Sequence, residues 1–161
     1  MVSLTAADMM ARSESTVSPD TDIYVALRQL LNRKFTGMPV VDGDGVLLGM
    51  LTERDCLKVV VGWVMDRLPE GKVRDYMSSP AESIPPTASL YAIVDLFLNR
   101  PYRKLPVVDE AGRVIGQVSR RDALVALDSL AKSQNAAQVP DPYLPDLPGV
   151  DSAMKIARGQ R

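Results

Sequence analysis

Histidine is absent from the 161-residue chain and cysteine occurs once, as Cys56. Without imidazole there can be no histidine general acid or base, no Ser-His-Asp triad and no zinc site built on histidine nitrogens. A lone cysteine excludes an internal disulfide and a multi-cysteine metal cage. Set in an apolar helical pattern with no histidine to activate it, Cys56 is expected to be a small core residue rather than a nucleophile. Long apolar runs are also missing. The longest, residues 59–65, falls far short of the roughly 20 residues a spanning helix needs. Residues 1–8 show neither the basic nor the apolar region of a signal peptide, so a cytoplasmic location is expected, with no membrane role. Charge of one sign is lacking as well: 19 basic against 20 acidic residues leave a net charge of −1, which offers nucleic acid or an anionic membrane no electrostatic footprint. The length suits one domain or two small ones and excludes a large multidomain enzyme.

What is present is a duplication. The segment Pro39-Val40-Val41-Asp42 returns 67 positions later as Pro106-Val107-Val108-Asp109. The offset holds without a gap for Gly45 and Gly112, Gly49 and Gly116, Arg54 and Arg121, Asp55 and Asp122, and Leu57 and Leu124. Laying residues 5–61 on 72–128 gives 16 identities in 57 positions, where unrelated segments would give roughly three or four. Residues 1–67 therefore read as a first repeat and 68–132 as a second. Residues 133–161, with Pro140, Pro142, Pro145 and Pro148, read as an extended tail.

Each copy has the same periodicity. Ile23, Ala26, Leu27, Leu30 and Leu31 form the apolar stripe of an amphipathic helix, and Leu90, Ile93, Val94, Phe97 and Leu98 repeat it. Thr21 or Asp22 caps the first, and Ser89 the second. An apolar strand, the turn Asp42-Gly43-Asp44-Gly45 and a second strand follow, which predicts a β-hairpin. A second helix from about Arg54 is predicted to carry Leu57, Val60, Val61 and Val64 inward, and its counterpart Ala123, Leu124, Leu127 and Leu130. Short helical lead-ins are expected at residues 4–11 and 73–77, and residues 68–71 supply the connector. The order is strand, helix, strand, strand, helix, twice. Because neither unit alone can cover both faces of its sheet, the fold class is α+β, two such repeats packed sheet to sheet about a pseudo-two-fold axis.

The repeated x-Pro-Val-Val-Asp strand, the glycine-bearing hairpin, the small-residue step at Gly49 and Gly116, and the closing Thr52-Glu53-Arg54-Asp55 and Ser119-Arg120-Arg121-Asp122 resemble a tandem pair of CBS domains, the cystathionine β-synthase type, or Bateman module. The resemblance covers about residues 5–131. It implies a stand-alone regulatory module that binds AMP, ADP, ATP or S-adenosylmethionine between the repeats, associates as a homodimer and signals to a partner protein. It implies no catalytic residue, no metal and no required cofactor. In the family, the aspartate of the Ser/Thr-x-x-Asp motif accepts hydrogen bonds from the ribose, and the hydroxyl residue contacts phosphate or ribose. A carboxylate is acceptor-only and suits a diol, while a helix N-terminus suits phosphate. The same motif is also a helix-capping box, and the two roles can coexist.

Carried over position by position, one cleft combines Ser119, Arg121, Asp122, Arg103 and Lys104 with Thr21, Ala26, Phe35 and Thr36. The other combines Thr52, Arg54, Asp55 and Met50 with Tyr102, Arg103, Ala88 and Ile93. The Asp122 cleft is expected to be the tighter, with more cationic groups and a spare hydroxyl. Two alternatives stand beside this reading. One is a nucleotide-acting hydrolase using the turn carboxylates Asp42, Asp44, Asp109 and Glu110; the other is a structural dimerisation module with decayed clefts.

Overall fold

The computed structural model describes residues 4–12, 15–64 and 70–134. The connector positions Leu68 and Pro69, and the tail beyond residue 134, lie outside the described residues. Elements run in the order α1 (Ala6–Met9), α2 (Ile23–Arg33), β1 (Gly37–Val41), β2 (Leu47–Thr52), α3 (Glu53–Trp63), α4 (Val73–Tyr76), α5 (Leu90–Asn99), β3 (Lys104–Val108), β4 (Val114–Ser119) and α6 (Arg120–Gln134). Contacts divide the chain into one unit of residues 1–126, which holds both hairpins, and a second of residues 127–161.

Each repeat is built by the same local chemistry. Asp22, not Thr21, caps α2, its carboxylate accepting from the backbone N–H groups of Tyr24 and Val25, and Ser89 caps α5 through Ala92. Lys34 takes the left-handed conformation (φ 55°), closing α2 and delivering Phe35 and Thr36 to the start of β1. β1 pairs antiparallel with β2, Val40 opposite Gly49, and β3 with β4, Val107 opposite Gly116. Both ladders slip by one residue at the same place, between Val40 and Val41 and between Val107 and Val108. The turns match too. Asp42 accepts from the backbone N–H groups of Asp44 and Val46, and Asp109 from those of Ala111 and Arg113. Gly45 and Gly112 supply the positive φ these turns require.

The leading strand of each repeat is reduced to a single parallel bridge, Val17 to Val40 and Ile84 to Val107. Pro19, and Pro85 with Pro86, follow at once, and proline has no N–H with which to extend a ladder.

The core divides into two clusters, one per repeat, with the lead-ins exchanged. Ile23, Leu30, Met38, Val40 and Leu51 pack with Val73, Tyr76 and Met77 from the start of the second repeat. Ile93, Phe97, Leu105, Val107 and Val118 pack with Ala6, Met9 and Met10 from the start of the first. Each fully buried aliphatic side chain contributes roughly 1.5–3 kcal/mol, so neither half carries its core alone. The step glycines make this exchange possible. A Cβ on Gly49 would lie 2.6 Å from the Ser78 carbonyl oxygen, and one on Gly116 would lie 3.0 Å from that of Ala11.

The faces predicted for the closing helices are corrected. Leu57, Val60, Val61 and Val64 are exposed on or just beyond α3, as are Leu124 and Leu127 on α6, and Leu130 is only half-buried. The inward residues are Cys56 and Val59 on α3, and Ala123 and Ala126 on α6. On α6 both inward residues are alanine, whose small side chains suit close approach to the hairpin, and on both helices the more extensive apolar stripe is turned outward. Cys56 is the core residue expected; burial, with the charges of Asp55 and Glu53, pushes its thiol up to about 11. Among the described residues no helix is long and apolar enough to cross a membrane.

Candidate functional site

Both Ser/Thr-x-x-Asp motifs sit where a hairpin hands over to its closing helix, and both form a reciprocal cap. The Thr52 N–H and Oγ1 donate to Asp55 Oδ2 at 3.0 and 2.8 Å, and the Asp55 N–H donates back to Thr52 Oγ1 at 3.2 Å. In the second repeat the Ser119 N–H and Oγ donate to Asp122 Oδ2 at 2.7 and 2.6 Å, and the Asp122 N–H returns to Ser119 Oγ at 3.2 Å. The capping chemistry is therefore real at both positions.

The aspartates differ at their second oxygen. Asp55 Oδ1 accepts from Lys58 Nζ at 2.9 Å and from Ser78 Oγ at 3.0 Å, and the residue is 2% exposed. Burial pushes its carboxyl upward, but the bonds from Lys58, Thr52 and Ser78 outweigh it and hold the group below its ordinary value. Asp122 is half-buried, and its Oδ1 has no hydrogen bond or ion pair among the described residues.

Two cavities flank these motifs. The larger, 460 Å³, is lined by Met50, Thr52, Arg54, Tyr102, Arg103, Lys104 and Thr36, together with Glu53, Ser78 and Glu82. The smaller, 360 Å³, is lined by Phe35, Lys104, Ser119 and Asp122, together with Ala11, Arg12, Ser15, Arg33 and Gln117. Three cationic side chains face two carboxylates in the larger and one carboxylate in the smaller. In the smaller, Arg33 donates to Ser15 Oγ at 2.7 Å, and Lys104 Nζ stands 5.1 Å from the centre of the Phe35 ring. One face of Phe35 is thus already covered by a cation, which competes with any base stacked there.

Of the residues assigned from sequence, Met50, Thr52, Arg54, Tyr102 and Arg103 meet in the larger cavity and Phe35, Lys104, Ser119 and Asp122 in the smaller. Thr36, assigned to the Asp122 cleft, lines the larger cavity instead, and Lys104 lines both. Asp55, Thr21, Ala26, Ala88, Ile93 and Arg121 line neither. Ala26 and Ile93, assigned one to each cleft, are core residues at 0% exposure and belong to packing, not to a cleft. Thr21 instead accepts the backbone N–H of Val73 through its carbonyl, and Arg121 is exposed. Sequence reasoning missed Arg12, Ser15 and Arg33. Arg12 and Ser15 belong to the segment after the exchanged lead-in, and that exchange carries them to the Ser119–Asp122 cleft, which Arg33 and Phe35 reach from the end of α2. The turn carboxylates Asp42 and Asp109 are engaged by backbone N–H groups, and no metal-ligating cluster occurs among the described residues.

Comparison with known proteins adds a family match. The model of the CBS domain matches twice, over residues 6–62 and 73–129. A CBS domain-containing protein of Dictyostelium discoideum is 32% identical over 72% of this chain and 86% of its own length. An uncharacterized protein of Methanocaldococcus jannaschii is 27% identical over 76% of this chain, and the chain spans only 42% of that relative's length. Among solved structures, the CBS-pair protein CBSX2 from Arabidopsis thaliana superposes with a TM-score of 0.74 at 26% identity, covering 81% of this chain and 99% of its own. A structure of CBSX2 in complex with AMP gives 0.70 at 27% identity, covering 78% and 97%.

Proposed function

The chain belongs to the CBS-domain family, and from that premise we propose that it is a regulatory module which binds an adenosine-containing ligand at the Asp122 cleft and reports the occupancy to a partner protein. The observation that carries this reading is Asp122 itself. It is a half-buried carboxylate in a 360 Å³ cavity, one oxygen fixed by Ser119 and the other with no partner among the described residues. An acceptor-only group held rigid at one oxygen is suited to a ribose diol. Arg12, Arg33 and Lys104 surround it with charge for phosphate oxygens, and Ser119 adds a hydroxyl at the start of α6. CBSX2, of the same fold and 27% identical, has been solved with AMP.

Ligand binding regulates only if it favours one of two arrangements over the other. In this reading the exchanged lead-ins are the coupling elements, because Ala11 and Arg12, which line the smaller cavity, directly follow the α1 segment that packs in the second core. The module acts in the cytoplasm as a homodimer, for which the exposed Leu57, Val60 and Val61 of α3 offer an apolar face. It has no catalytic step of its own.

A thermal-shift panel of AMP, ADP, ATP, S-adenosylmethionine and NAD, with product analysis of each mixture, tests the proposal. Stabilisation without turnover is expected from at least one adenosine ligand. Turnover would instead support a hydrolase, and no stabilisation by any of them a structural module. Titration calorimetry on Asp122→Ala and Asp55→Ala proteins tests the assignment of the tighter site, and equal losses would contradict it.

A further inference from the structure

The difference between the two clefts reaches beyond a ranking of affinities, although it rests on the nucleotide-binding reading above. Asp55 and Asp122 occupy equivalent positions, and each folds one oxygen back onto its own Thr52 or Ser119. They part because Lys58 and Ser78 hold the second oxygen of Asp55 at 2.9 and 3.0 Å. The residues related to Lys58 and Ser78 by the 67-residue offset are Val125 and Ala11. Neither has a side-chain donor, so the second oxygen of Asp122 is left without a partner among the described residues.

A ribose diol binds a carboxylate by donating to it, and at Asp55 every such position is taken. To enter there it must displace the partly buried Ser78 hydroxyl and the more weakly held, exposed Lys58 ammonium, gaining little net hydrogen bonding in exchange. The greater volume of the larger cavity, 460 against 360 Å³, does not change this. Volume admits a nucleoside, but an open carboxylate is what recognises its sugar.

We propose that Lys58 and Ser78 are the residues that select the nucleoside site: they lock Asp55, close the Thr52 cleft to ribose, and limit the chain to one adenosine ligand, bound at Asp122. The lock joins the two repeats, since Lys58 lies on α3 and Ser78 follows α4. Exchanging these two side chains with their counterparts moves the lock from one cleft to the other.

Titration calorimetry with AMP on the full chain and two exchanged variants tests this. The unaltered protein is expected to bind one equivalent. Lys58→Val with Ser78→Ala is expected to bind two, the second surviving Asp122→Ala. The reciprocal Val125→Lys with Ala11→Ser, both at exposed positions, is expected to weaken the Asp122 site by about tenfold, equivalent to about 1.4 kcal/mol. Two equivalents on the unaltered protein, or a folded unlocked variant that still binds one, would overturn the selection and leave the nucleotide-binding reading standing. Should the unlocked variant fail to fold, the reciprocal variant decides alone, and unchanged affinity overturns the selection. Binding of AMP to none of the three proteins would overturn the nucleotide-binding reading and the selection with it.

Discussion

The duplication gives an internal control for what the Asp55 lock contributes to stability. Asp55→Ala and Asp122→Ala remove the same residue from the same position in two copies of one motif. Both lose the return half of a capping box, the bonds from the Thr52 or Ser119 N–H and hydroxyl, which costs about 1 kcal/mol. Asp55→Ala also leaves the Ser78 hydroxyl without its acceptor and breaks the bond to Lys58. Lys58 is 57% exposed, so its ammonium turns to water and adds little. The partly buried Ser78 bond, made to a charged carboxylate, adds about 2 kcal/mol. The expected losses are therefore about 3 kcal/mol for Asp55→Ala and about 1 kcal/mol for Asp122→Ala. In a chain of this size each kcal/mol moves the melting temperature by about 3 °C, so the two variants should melt about 9 and 3 °C below the parent. Urea unfolding followed by far-ultraviolet circular dichroism measures the difference, provided the slope with urea is the same in all three proteins. Equal losses, or a larger loss for Asp122→Ala, would refute the argument that Asp55 is committed to structure.

Other outcomes follow from the packing and ionisation of single residues. Gly49→Ala should cost about 2 kcal/mol, since its Cβ meets the Ser78 carbonyl at 2.6 Å and backbone cannot swing aside. Gly43→Ala, with nothing within 4 Å, should be neutral in the same urea melts. Because the folded state holds the Asp55 carboxyl below its ordinary 3.8, its contribution is fully present above that value and is lost as pH falls through the lowered one. Asp55→Asn should thus flatten the acid limb of a stability–pH profile below about pH 4, and an unchanged limb would contradict the lock. With the Cys56 thiol pushed up to about 11, only about one molecule in a thousand carries thiolate at pH 8. An aromatic disulfide reagent should label it slowly when folded and rapidly in guanidinium, and fast labelling of the folded protein would show that the residue is accessible.

Much of the architecture was legible because one offset governs it. Once Pro39 and Pro106 were aligned, the turn aspartates Asp42 and Asp109, the step glycines Gly49 and Gly116, and the motif pairs Thr52 with Asp55 and Ser119 with Asp122 fell opposite one another. Apart from Ala123, which was expected inward, the inward faces of α3 and α6 were not legible. Periodicity finds the most apolar stripe, and on α3 that stripe is Leu57, Val60 and Val61, which faces outward. The face that meets the hairpin is carried by Cys56 and Val59, and on α6 by Ala123 and Ala126, whose small size marks close approach more than hydrophobicity does. The leading strands, expected only as the first element of each repeat, are single bridges for a simpler reason, since Pro19 and Pro86 forbid a longer ladder.

The candidate site shows a similar division. Both motifs were found by the repeat offset, and the family resemblance placed Phe35, Tyr102, Arg103 and Lys104 beside them, yet Arg12 and Ser15 required the lead-in exchange, which no local pattern encodes. The inequality of the clefts was expected from more cationic groups and a spare hydroxyl at Asp122, yet three cationic side chains line each cavity and Thr21 lines neither. The difference seen between the two motifs lies in the pair Lys58 and Ser78, which donate to Asp55, against their counterparts Val125 and Ala11. That contrast is written in the aligned repeats, but it acquires meaning only once both donors are seen on one carboxylate oxygen.

The most direct test of the account is a crystal structure of the protein grown with AMP. AMP is expected in the cavity lined by Ser119 and Asp122, with the ribose hydroxyls on the second oxygen of Asp122 and the phosphate among Arg12, Arg33 and Lys104, while Lys58 and Ser78 still hold Asp55. AMP seated instead against Thr52 in the larger cavity, with Asp55 released to its ribose, would contradict it.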